Sequence, residues 1–164
     1  MHDKNGVAEY TKYGKRVCFG KQLKPKALAV LEKSMQVEYK SDLNELMLQG
    51  ILELIDSVGW PSRKIEDIKE AFHKSTFVRV ASSGDKIIGF GRTVDDGKYY
   101  GMVVDLIVHP DFQGQGIGSE ILSQLANEME GFYTISLTAA RSKIDFYKRR
   151  GWKESKSTMS WKKK

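Results

Sequence analysis

A long apolar pattern, "YYGMVVDLIVH", runs into "PDFQGQGIGS", then a helical stripe, then a second strand pattern, "FYTISLT". Two strands joined through a helix form a crossover, which sets them parallel and turns right-handed. Ahead of this unit, "TFVRVAS", "KIIGFGRTV" and the long strand are separated by "SGD" and "DDGK". Those are hairpin turns, so their strands run antiparallel. The chain must therefore build an α/β fold on a mixed, mostly antiparallel sheet with one parallel pair and flanking helices.

The helices announce themselves by period. Leu43, Leu46, Met47, Gly50, Ile51, Leu54, Ile55 and Val58 recur at helical spacing, with Asp42 and Glu45 as a capping box and Gly59 and Pro61 as the stop. Ile65, Ile68 and Phe72 mark a second helix, and Ile117, Ile121, Leu122, Leu125 and Met129 a third that closes at Gly131. "SKIDFYKRR" reads as a short helix ended by Gly151, and "STMSWK" as a last strand. Residues 1–35 carry weaker signals, a strand at "KRVCFG" and a helix at "PKALAVLEKSM".

The 164 residues suffice for one domain with its own core. A basic extension over residues 1–35 and a main domain over residues 36–164 are expected. The first 40 residues hold nine Lys/Arg against four Asp/Glu, and the rest 18 against 17, so the net +6 belongs mainly to the extension. Such a tail attracts anions, but no nucleic-acid module accompanies it, so nucleic acid is not the expected partner. One cysteine, Cys18, allows neither an internal disulfide nor a cysteine metal site, and reads as a small apolar residue. Without an apolar leader or a membrane-length apolar run, a cytoplasmic protein is the expectation.

Gly114, Gly116 and Gly118 alternate between strand and helix. Small residues there bare several N–H groups at the positive end of a helix, a setting for phosphate. The phosphate loop of nucleotide hydrolases needs a Lys after its last glycine, absent here. The dinucleotide fingerprint needs a third glycine where Ser119 stands and an acid after the next strand, where Thr138 to Arg141 offers none.

"QGQGIG", Gln113 to Gly118, instead resembles the Q/R-x-x-G-x-G/A signature of the GNAT superfamily of N-acetyltransferases, and "FYKRRGW", Phe146 to Trp152, is similar to its second signature. The resemblance spans roughly residues 37–161. It implies acetyl-CoA as co-substrate, no metal, and a pantetheine arm lying between two parallel strands that splay apart. Backbone at Leu106, Ile107 and Val108 would pair with the arm. The loop, Gln113, Gly114, Gln115, Gly116, Ile117, Gly118 and Ser119, would hold the pyrophosphate beside Phe146. Tyr147 takes the role of general acid to the departing thiolate. Where many relatives carry an asparagine, this chain has Ala140.

Transfer to an amine also needs the ammonium proton removed. Asp105 is the carboxylate in the long strand, hence the candidate base, with a structural ion pair as the other reading. His109 reads as a solvated strand end. Trp60 is a candidate acceptor wall or a packing residue. Tyr99, near Tyr100, Asp95 and Asp96, is a candidate contact for a cationic or arylalkyl amine. The expected function is acetyl transfer to a primary amine on a small molecule, with a non-catalytic acyl-CoA-binding regulator as the alternative. The resemblance also admits a homodimer.

Overall fold

Period and turn chemistry fix which elements pair, and the pairing fixes where the sheet opens. The computed structural model describes residues 9–12, 15–18 and 36–155. Strands β1 (Glu9–Lys12) and β2 (Lys15–Cys18) form an antiparallel ribbon. The main sheet has the order β3 (Val37–Lys40), β4 (Val78–Ser83), β5 (Lys86–Asp95), β6 (Tyr100–Val108), β7 (Thr134–Leu137). All its neighbours are antiparallel except β6 and β7, which are parallel, as the crossover requires. Strand β3 was not foreseen; its four residues alternate between half-buried and exposed, too short a signal to stand out. The helix expected at Pro25 to Met35 and the strand expected at Ser157 to Lys162 lie outside the described residues.

Helices α1 (Glu45–Ser57) and α2 (Ile65–His73) cover one face. There Ile51, Leu54, Ile55, Ile68 and Phe72 pack on Val80, Phe90 and Ile107. The cap of α1 is Asn44, whose Oδ1 accepts from Met47 N at 3.1 Å, and not Asp42. Asn and Asp cap about equally well, so the pattern alone could not choose between residues two apart. Gly59 adopts φ +70 and ends the helix as expected.

Helix α3 (Ile117–Glu128) covers the other face, with Ile121, Leu122 and Leu125 buried against Ala81, Ile88 and Val103. Each such side chain contributes roughly 1.5–3 kcal/mol by leaving water. It lies close because β5 presents glycine to it: a Cβ on Gly91 would sit 2.9 Å from Ile121 and 3.0 Å from Leu125. The helix ends at Met129, two residues before Gly131, which has no left-handed backbone. A 3₁₀ turn (Arg141–Lys143) leads into α4 (Ile144–Lys148), stopped by Gly151 at φ +82. Among the described residues no helix is long and apolar enough to cross a membrane.

Candidate active site

Pairing between β6 and β7 runs from Tyr100↔Thr134 to Val103↔Leu137 and stops. Strand β6 continues to Val108 with no partner on that side among the described residues, so the two strands part. The opening forms a cleft of about 970 Å³. It is walled by β6 from Met102 to Val108, the loop and start of α3, α4 with its flanks, and Trp60.

At one end lies the glycine loop. Gly114 (φ +78) and Gly116 (φ +86) hold left-handed backbone, which a β-branched side chain would strain, and a Cβ on either would meet nothing within 4 Å. Gly118 answers a different need: a Cβ there would crowd Val108 at 3.3 Å and touch Phe146 at 3.6 Å. Among the described residues, the N–H groups of Gly114 to Gly118 donate to no turn, loop or cap acceptor. Ser119 N and Glu120 N both donate to Gly116 O, at 2.9 and 3.0 Å. The free amides are thus Gly114 to Gly118, while Ser119, also expected in the cradle, spends its N–H closing the first turn. Gln113 braces the loop, its Nε2 donating to Val108 O at 2.9 Å. The Gln115 side chain donates to Asp111 O at 3.3 Å and does not line the cleft.

At the other end β6 bulges. Phe90 pairs with Ile107 and Arg92 with Val104, so Asp105 and Leu106 together face the single residue Gly91. Asp105 takes φ +53, left-handed backbone rare for a residue with a side chain. Its carboxylate holds the strain in place. Arg63 donates to both oxygens, at 3.0 and 2.8 Å, and Arg92 Nε to Oδ2 at 2.7 Å. The Asp105, Arg92 and Arg63 side chains are 10%, 15% and 32% exposed, so this cluster is shielded from water. Burial alone would raise the Asp105 pKa, but the hydrogen bonds and charges of the two guanidiniums outweigh it and leave the pKa below the ordinary carboxylate value. Arg63 also faces the Trp60 ring at 5.7 Å, which ties the α1–α2 connection to the bulge.

Tyr147 lines the cleft from α4, half-buried, edge-on to Phe146 at 5.0 Å between centroids. Burial raises its phenol above the ordinary value of 10.0. Ala140, also at the cleft, accepts the Lys143 N–H at 2.8 Å through its carbonyl, so the 3₁₀ turn closes without a capping side chain. His109 lies outside: its Nδ1 accepts from Asp111 N at 3.3 Å and its Nε2 faces Lys86 Nζ at 3.1 Å.

One expected contact is misplaced. Tyr99 stands before β6 at the paired end, where its carbonyl accepts from Thr134 N at 2.8 Å, and it does not line the cleft. Strand β6 starts just after Tyr99 and runs towards the opening, so Tyr99 lies at the far end, a separation that residue proximity in sequence hid. Asp95 and Asp96 are likewise occupied: Asp95 binds Thr76, Thr93 and Gly97 N, and Asp96 accepts from three backbone N–H groups of its own turn. Among the described residues, no cluster of three or more His, Cys, Asp or Glu side chains is placed to hold a metal ion.

Arg63, Arg92, Lys143, Arg149 and Arg150 were not foreseen. The first two are far in sequence from Asp105 and gave no signal. The others stand in plain sight as charges within and beside "FYKRRGW".

Residues 73–154 match the family profile described as acetyltransferase (GNAT) domain. An N-acetyltransferase of Pyropia yezoensis, described as uncharacterized, is 31% identical over 138 residues, 77% of this chain and 79% of its own. Serotonin N-acetyltransferase 2 of Oryza sativa subsp. japonica, chloroplastic, is 29% identical over 106 residues, 61% of this chain and 53% of its own. In fold, the chain is similar to a crystal structure from meticillin-resistant Staphylococcus aureus described as a probable acetyltransferase. That likeness has TM-score 0.71 at 21% identity, over 79% of this chain and 99% of the other.

Proposed function

Because the chain belongs to the GNAT acetyltransferase family, we propose that it moves an acetyl group from acetyl-CoA to a primary amine on a small molecule. One observation carries this reading: the unpaired edge of β6 joins five free loop amides at one end to a strained bulge at the other, inside a single cleft. Acetyl-CoA supplies an acetyl thioester open to attack by an amine, and a thiolate leaving group. The Gly114 to Gly118 amides suit its pyrophosphate, with the α3 dipole adding to their field. The open edge from Val104 to Val108 suits the amides of its arm. The bulge frees backbone at Asp105 and Leu106 from β5, where an N–H can stabilise the oxyanion of the attacked carbonyl.

Tyr147 gives its phenolic proton to sulfur as the C–S bond breaks and the C–N bond forms. Its raised pKa keeps that proton in place at neutral pH. Asp105 we assign to positioning and no longer to proton removal. A carboxylate that two guanidiniums bind has lost the proton affinity a base needs. It is the only carboxylate on the cleft wall among the described residues. Water therefore takes the amine proton, and rate should rise with pH towards the acceptor's own pKa.

Trp60 gives the acceptor end an aromatic wall, which suits an arylalkyl amine. The rice relative's name points the same way. The single cysteine favours a reducing compartment, and we keep the cytoplasm as the working site. The test is thiol release from acetyl-CoA with tryptamine, compared with no acceptor and with a lysine-containing peptide. Tryptamine-dependent release supports the reading. Tight binding of acetyl-CoA with no acceptor-dependent release for any amine would point to a regulator that senses acyl-CoA.

A further inference from the structure

We infer that Lys143 and Arg149 form a second phosphate site on the cleft, one that takes the phosphate monoester on the ribose of coenzyme A. This rests on the acetyl-CoA reading above and adds a specificity that the glycine loop does not provide.

Lys143, Phe146, Arg149 and Arg150 are three and four residues apart, so they share one face of α4 and its flanks. That face sits on the start of α3. Phe146 comes within 3.6 Å of where a Gly118 Cβ would be, and Arg150 Nε donates to Ser119 Oγ at 2.8 Å. Lys143 and Arg149 line the same cleft as the loop.

The charge around them is lopsided. Residues 141–150 hold five Lys/Arg and one Asp. Two of these cations are committed: Lys148 pairs with Glu154 at 2.9 Å, and Arg150 binds Ser119 and the Phe146 carbonyl while covering the Phe146 ring at 3.7 Å. Lys143 and Arg149 are exposed and make no side-chain hydrogen bond or ion pair with any described residue. Two unspent cations therefore stand beside a backbone cradle that has five donors of its own.

A pyrophosphate diester can be met by backbone N–H groups alone. A phosphate monoester carries about −1.5 to −2 charges at neutral pH and draws cationic side chains, a guanidinium fork above all. Coenzyme A has both groups on one adenosine end. Backbone for the diester and free cations for the monoester match that pair of demands.

The experiment is calorimetric titration of the full chain with CoA and with dephospho-CoA. It is repeated on the Lys143→Ser/Arg149→Ser double variant and on Arg141→Ser, a nearby cation that does not line the cleft. Wild type should bind CoA about tenfold more tightly than dephospho-CoA, the worth of one charge-assisted contact. The double variant should bring that ratio to about one, leave dephospho-CoA affinity unchanged as a check on the fold, and Arg141→Ser should keep the ratio. The assignment is overturned by an unchanged ratio in the double variant, by equal affinities in wild type, or by an equal loss in Arg141→Ser, which would mean a diffuse field. Wild type binding neither ligand overturns this site and the acetyl-CoA reading together.

Discussion

The two ends of the cleft are built from different materials. The loop end is mostly backbone: two left-handed glycines and five free N–H groups, with the Gln113 and Gln115 side chains bracing the turn. The bulge end is side chain: an aspartate in a left-handed conformation, locked by two arginines from α1–α2 and β5. A backbone site recognises any suitable phosphate and tolerates change around it. A side-chain lock has few parts, each of which matters. Substitutions at the loop should therefore act on binding, and substitutions at the bulge and at Tyr147 on turnover and stability.

Tyr147→Phe should show the largest effect. It removes the acid and keeps the ring, so kcat is expected to fall about a thousandfold, within the usual range for a general acid. The KM for acetyl-CoA should hold within about twofold, since the loop is untouched. A matching loss in coenzyme affinity would erase the distinction between the ends.

Gly116→Val is the mirror experiment. The new Cβ meets nothing within 4 Å, but φ +86 is costly for a β-branched residue, so the loop must rearrange. Losing two charge-assisted contacts would weaken acetyl-CoA binding about a hundredfold. Melting should show only a modest loss, near 1–2 kcal/mol. Unchanged affinity by calorimetry would remove the loop from the binding site.

Asp105→Asn sharpens the comparison through pH. Asn tolerates left-handed backbone but leaves two guanidiniums without their counter-charge, so about 3 kcal/mol of stability should be lost at neutral pH. The folded carboxyl has a depressed pKa, so its contribution is complete above the unfolded value of about 3.9 and disappears as pH falls through the folded one. Denaturant midpoints of wild type and variant should then converge in acid. The rise of rate towards alkaline pH should survive in the variant, because Asp105 is not the base. Loss of that rise would restore Asp105 to proton transfer.

The same division explains what could be read from sequence. The glycine loop and the short helix that carries Tyr147 were legible because their geometry is local: glycine spacing and a short helix depend on neighbours within a few residues. The crossover and its parallel pair followed from connection rules. The lock was not legible. It joins Asp105 to Arg63 and Arg92 across 42 and 13 residues, and a bulge exists only once two strands have chosen their register. Tyr99 failed for a related reason, since its place at the paired end depends on where β6 and β7 part. The Asp42 cap failed by two residues, between chemically equivalent choices.

The central claim is that backbone along one cleft holds the coenzyme, and hydrogen exchange tests it most directly. With saturating acetyl-CoA, amides of Gly114 to Gly118 and of Val104 to Val108 should exchange more slowly, while those of Asp96 to Tyr100 at the paired end should not change. Exchange in the loop and along β6 that stays the same at saturation would contradict the account.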